Sequence, residues 1–125
     1  MGQKFIVHGR LWGLNDYVNT CKARYGQKAT AAYKRKVEED IGWCVRKYIG
    51  NWHTEKKVYL KFKWVEPNRK RDKDNIAFGK KFIQDALVKS GVINNDGWEY
   101  VVGFEDSFAV DKDNPRIEVE IIEVD

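Results

Sequence analysis

The 125-residue chain carries only two cysteines, two prolines, two histidines and one methionine, and these scarcities exclude whole classes of protein. Cys21 and Cys44 form no C-x-x-C and can make one bridge at most. That excludes a disulfide scaffold and a cysteine zinc site, and makes a reducing cytosol the default compartment. His8 has no neighbouring partner ligand and reads as a structural side chain; His53 reads as a surface residue in a loop. No apolar run approaches the ~20 residues of a membrane-spanning helix, and the start MGQKFIVHG lacks the apolar core of a signal peptide. Pro67 and Pro115 each fall at the border of a strand-like run. The length suits one domain, residues 1–125, able to bury roughly two-thirds of its surface without staples.

Charge, by contrast, is plentiful. Charged residues make up 34% of the chain, yet the net charge is only +4, so position matters more than balance. Basic residues gather in the middle, at Lys34–Lys36, Lys56, Lys57, Lys61, Lys63 and the NRKR run; the tail EVEIIEVD is acidic. Such segregation points to a nucleic-acid face, against the plainer reading of scattered surface lysines.

Periodicity predicts an α+β fold, with a mixed or mostly antiparallel sheet of about four strands and two helices. The first strand is expected over Lys4–Arg10. The stretch from Leu11 to Thr30 reads as an irregular loop, with Arg24 and Lys28 as weak DNA contacts. Thr30 is the expected N-cap of a helix to Tyr48, whose stripe is Tyr33, Val37, Ile41, Cys44 and Tyr48. Cys44 on that stripe is a small packing residue, and Arg35 and Glu39 can pair across one turn. Lys56–Val65 alternates Val58, Leu60, Phe62 and Trp64 with Tyr59, Lys61 and Lys63, giving a half-buried strand whose outer row is basic. Lysines there either contact DNA or protect an exposed sheet surface. A second helix is expected over Phe78–Lys89, burying Phe82, Ile83, Ala86 and Leu87. Strands follow over Trp98–Phe108 and Arg116–Val124.

The informative stretch is NRKRDKDNIAFGKKFIQDALVKSGVINNDGW, Asn68 to Trp98. It sets Asp72, Asp74 and Asp96 inside a basic border. Magnesium takes hard oxygen ligands, borrowing a few carboxylates and leaving phosphate and water to complete its octahedron. If R-D-K-D-N is extended, Asp72 and Asp74 leave one side and Lys73 the other. A helix from Phe78 to Lys89 advances about 18 Å, and extended residues from Val92 to Asp96 return a similar distance, which would bring Asp96 back to the pair. Gly91 fits the positive-φ position after the helix. The later DKDNP, before Arg116, is turn chemistry, and neither DKDN copy has the ligand pattern of a calcium EF-hand.

The string R-D-K-D-N, then a helix with K-x-x-x-D-A-L, then G-V and an acid beyond, resembles the RusA family of Holliday junction resolvases. The resemblance implies a Mg2+ site at Asp72, Asp74 and Asp96, with Asn75 and Lys81 beside it. Lys81 is chosen over Lys80 because it stands four residues before Asp85, although IAFG lengthens the segment between Asn75 and the lysine by about one helical turn. Asp85 is read as a salt-bridge partner that holds Lys81. Arg69, Lys70, Arg71, Lys73 and Lys80, with Lys61 and Lys63 of the strand, are the expected DNA contacts, and Trp98 a residue able to touch an unstacked base. The implied activity is hydrolysis of phosphodiesters in symmetry-related strands of a four-way junction during recombination and repair. The implied protein is a homodimer in a bacterial cytoplasm, host- or phage-encoded, with no organic cofactor and no membrane partner. A broader branched or flap DNA endonuclease, a non-catalytic junction-binding module and a phosphohydrolase of small substrates are the competing readings.

Overall fold

Alternation in KVYLKFKWVE makes the strand on which the rest is laid. The computed structural model describes residues 2–125. Its elements are β1 (Gly2–His8), α1 (Leu14–Lys22), α2 (Gly26–Ile49), β2 (Lys57–Glu66), α3 (Lys73–Ala77), α4 (Lys80–Lys89), β3 (Val101–Val110) and β4 (Arg116–Val124). The sheet order is β1-β4-β2-β3. β4 runs antiparallel to both β1 and β2, while β2 and β3 are parallel. Parallel neighbours need a long crossover, and α3 and α4 supply it. The fold is α+β with a mixed four-stranded sheet, as expected.

One face of the sheet is covered. Val58, Leu60, Phe62 and Trp64 of β2, with Phe5, Val7, Ile117, Val119 and Ile121, pack against Val37, Ile41 and Val45 of α2 and Phe82, Ile83, Ala86 and Leu87 of α4. The other face is open, and its rows mix signs. Lys61 stands level with Glu120 on one side and Glu105 on the other, and Lys63 with Glu118 and Ser107. Acids of the neighbouring strands therefore balance the basic row of β2, which favours its sheet-protecting reading.

The stretch expected to be irregular is largely helical. α1 is rich in Asn, Asp and Thr, which are mediocre helix formers, and it buries no residue. Its ends hold it: Asp16 accepts from the Gly13 N–H at 3.0 Å, and the Ala23 N–H reaches the Thr20 carbonyl at 3.1 Å. Nor is Thr30 an N-cap. α2 starts at Gly26, behind Tyr25 in the left-handed region at φ 62°, and the Thr30 hydroxyl donates to the Gly26 carbonyl at 2.6 Å. Gly26 is required because a Cβ there would lie 2.3 Å from the Thr20 carbonyl oxygen. The Arg35–Glu39 pair is not formed among the described residues. The ion pairs of α2 run to α4 instead, Lys34–Asp85 at 3.4 Å and Glu38–Lys89 at 3.8 Å.

Cys44 packs at the border of the core, and burial raises its thiol pKa; a thiol that resists ionising is a poor nucleophile. In DKDNP, Asp111 accepts from the backbone N–H groups of Asp113 and Asn114, the turn expected there. Leu87 is fully buried, so Leu87→Ala should lower unfolding free energy by about 2–5 kcal/mol in a denaturant titration. Lys61→Ala should change it by no more than about 0.5 kcal/mol.

Candidate active site

The site begins with a carboxylate at the inward end of β2. Glu66 is 6% exposed, and Arg71 closes on it with Nε at 3.1 Å from Oε1 and Nη2 at 2.9 Å from Oε2. Arg10 adds a third contact at 2.9 Å. Nη1 of Arg71 donates to the Leu11 carbonyl at 3.1 Å and lies 3.7 Å from Asp16. The loop after Pro67 is thus folded back onto the strand, with Asn68 bonding the Lys70 N–H at 3.0 Å. Arg71, expected as a DNA contact, is committed to this cluster, whereas Arg69 and Lys70 are exposed.

This anchoring fixes the two residues that follow. Asp72 is the N-cap of α3 by backbone geometry, but its side chain makes no capping bond. Asp74 lies in the first helical turn and accepts from the Asn75 N–H at 2.9 Å. Both are exposed and line one groove with Arg69 and Lys73, closed on the far side by Phe108 to Val110 of β3. A helix start, and not the expected extended segment, brings them to the same opening.

Asn75, expected beside the metal site, has a partner that the sequence did not reveal. Its Oδ1 accepts from the Asn15 N–H at 2.9 Å, tying α1 to the motif. Gly13 makes that approach possible, since a Cβ there would stand 2.5 Å from the same oxygen.

Asp96 does not return to the pair. Gly91 has φ 78°, as anticipated, but Val92 and Ile93 then turn into the core and the Val92 carbonyl accepts from the Thr54 N–H at 3.0 Å. The following residues are spent on turns: Gly97 bonds Asn95 at 2.6 Å, and its carbonyl accepts from Tyr100 and Val101. Asp96 therefore stays near Val58 and Val101, where β2 and β3 start, whereas Asp72 and Asp74 lie beyond the ends of those strands. The intervening strand spans roughly 30 Å at about 3.3 Å per residue. Trp98, 97% exposed, is at the Asp96 end too, away from the pair. Among the described residues no group of three His, Cys, Asp or Glu side chains is placed to hold a metal ion.

The return leg is β3, and the acid it delivers is Asp106. Asp106 accepts from Lys80 Nζ at 2.5 Å and from Trp64 Nε1 at 2.8 Å. With Lys73, Lys80, Lys81 and Asp74 it lines a second groove adjoining the first. Lys80 is thereby held, while Lys81 is exposed and pairs with no acid among the described residues. Asp85, expected to hold Lys81, faces Lys34 of α2 instead; its Oδ2 is buried without a well-formed hydrogen bond, so that contact is one of charge.

Two residues escaped the sequence reading, Glu66 and Asp106. Both left a trace: each stands at a position where alternate residues are apolar, Glu66 after Phe62 and Trp64, Asp106 between Phe104 and Phe108. An acid on such a row calls for a buried donor. Glu66→Gln should strip the clamp of its charge and leave half-buried Arg71 with only the exposed Asp16, 3.7 Å away, as counter-ion. Stability should fall by about 2 kcal/mol or more, measured by chemical unfolding at neutral pH.

Comparison with known proteins places the chain in a family. Among individual curated proteins none matches the chain. The family model described as Endodeoxyribonuclease RusA matches residues 13–122, which takes in α1, the Glu66–Arg71 pair, the Asp72–Asp74 segment and the whole of β3. The chain thus belongs to the RusA endodeoxyribonuclease family, whose activity is that of a junction-resolving nuclease.

Proposed function

We propose that the protein is a Mg2+-dependent endodeoxyribonuclease that resolves Holliday junctions during DNA recombination and repair in the bacterial cytoplasm. The observation that carries this reading is the shared opening of Asp72 and Asp74 onto a lysine-bordered groove in a chain of the RusA family. The donor chemistry fits the ion: two exposed carboxylates, one released from capping duty, are the small protein contribution that magnesium ordinarily takes. When bound, Mg2+ supplies an activated water and neutralises charge on the phosphoryl oxygens.

The chain's own residues have separable tasks. Asp72 and Asp74 are the ligands. Lys80 is largely neutralised by Asp106, which leaves exposed Lys81 as the cation able to reach a phosphate oxygen in the transition state. Lys73, Arg69 and Lys70 hold neighbouring phosphates. Arg71 acts through Glu66 by fixing the backbone that presents both aspartates. Asn75, bonded to α1, belongs to that support.

A four-way junction offers two symmetry-related strands, and a homodimer offers two sites. Given its place at the opposite end of the sheet, Asp96 can join the Asp72–Asp74 pair only from a second copy of the chain. This makes a sharp test. Asp74→Asn and Asp96→Asn should each abolish cutting of a labelled four-way junction. Mixed and allowed to exchange subunits, they should regain about a quarter of wild-type sites. A mixture as inactive as its components would remove Asp96 from the shared site.

Asp74→Asn alone should cost about a thousandfold in turnover while leaving junction binding in place, and EDTA should do the same to the wild type. Equal cutting of flaps and junctions would widen the substrate to branched DNA at large. Binding without any cutting in Mg2+ would reduce the protein to a junction-binding module.

A further inference from the structure

The second groove has a property that metal chemistry does not require: its walls are aromatic. Phe104 and Phe108 flank Asp106 on the inward row of β3, the sheet edge. There the helices no longer cover the sheet, and Phe104 is 48% exposed. Phe78, Ala77 and Leu14 form the opposite wall. Lysines lie over the rings: Lys80 Nζ stands over one face of Phe104, 4.1 Å from its centre, and Lys73 Nζ over Phe108 at 5.7 Å, so a base would have to use the other face of Phe104. Asp74 opens into the same space.

An exposed aromatic row on a long edge strand invites pairing with another chain, so a second copy is the obvious rival occupant. The charge argues against it. A two-fold contact at this groove would bring Lys73 and Lys81 towards their own copies, with Lys80 and Asp106 spent on each other and Asp74 the one acid left to offset them, and like charges across an interface are costly. A nucleic-acid strand answers both features. Its phosphates satisfy the lysines, and a base with no partner has a flat face for a phenyl ring, the combination found in surfaces that take single strands.

We propose that this groove is a nucleobase subsite, in which one unstacked base beside the cleaved phosphodiester lies against Phe104 while its flanking phosphates meet Lys73 and Lys81. The proposal rests on the nuclease reading above and adds to it a contact with a base.

The test is binding of four-way junctions in EDTA, where nothing is cut, using an intact junction and a set that each lack one base next to the branch point. Phe104→Leu keeps an apolar side chain on the strand but removes the aromatic face, and should weaken binding of the intact junction about tenfold. One junction of the abasic set should weaken the wild type by the same factor and leave Phe104→Leu unchanged. Phe104→Trp should restore wild-type binding. Indifference of Phe104→Leu, or losses that multiply on every abasic junction, would overturn the subsite. So would a change of oligomeric state in sedimentation at the assay concentration, which would mark the groove as a contact between copies. A wild type that neither binds nor cuts junctions would defeat the nuclease reading itself, whereas one that does both with Phe104 immaterial would defeat the base contact alone.

Discussion

Glu66 ends the central strand with a carboxylate on the row that Val58, Leu60, Phe62 and Trp64 have kept apolar, and the organisation of the site follows from how that charge is met. Burying one carboxylate without a partner is prohibitive. Arg71 answers with two parallel bonds, a geometry that only a guanidinium provides, and its remaining nitrogen reaches the chain before α1. The loop between Glu66 and Arg71 has little freedom left. Asp72 and Asp74 come directly after it, so their position is inherited from the ion pair.

The same segment is braced from a second direction. Tyr33 of α2 stacks on Trp12, with ring centres 3.8 Å apart and planes 4° from parallel, and its hydroxyl accepts from the Trp12 N–H at 2.7 Å. Burial raises the Tyr33 pKa, which keeps that hydroxyl protonated. Leu11 and Trp12 therefore stand between the core helix and the Arg71 cluster, and α1, which has no buried residue of its own, is held through Gly13, Asn15 and Asn75. Tyr17, packed on Phe78 with ring centres 5.3 Å apart, is the apolar anchor of that helix, and polar groups of the motif at its first turn supply the rest.

Local patterns in the sequence gave a good account of what local physics governs. β2 and β4 read directly from alternation, the buried face of α4 from Phe82, Ile83, Ala86 and Leu87, the break at Gly91 from its need for positive φ, and the DKDNP turn from Asp111. α1 was hidden because Asn15, Asp16, Asn19 and Thr20 carry loop propensities that distant partners outweigh. The start of α2 was misplaced because Thr30, a good cap by type, finds a carbonyl inside the helix. At the site, the nearness of Asp72 and Asp74 was legible but its cause, a helix start in place of an extended segment, was not, and neither was the location of Asp96. A chain-length estimate shows that a segment can return, but not that Val92 and Ile93 will be drawn into the core and the return left to a strand pairing in parallel with β2. That choice is made by the whole sheet, and it is also what brings Asp106 to Lys80.

The open side of the sheet carries a further consequence. Lys4, Glu120, Lys61 and Glu105 lie in one line across the four strands, a checkerboard with no sign of its own and so no reach into the ion atmosphere around DNA. Under the proposed reading, in which DNA meets Arg69, Lys70, Lys73 and Lys81, the counter-ions shed on complex formation come from the opposite side. On that reading the slope of affinity against salt is a ruler for that side, with the lysines of the central strand already balanced by the acids level with them.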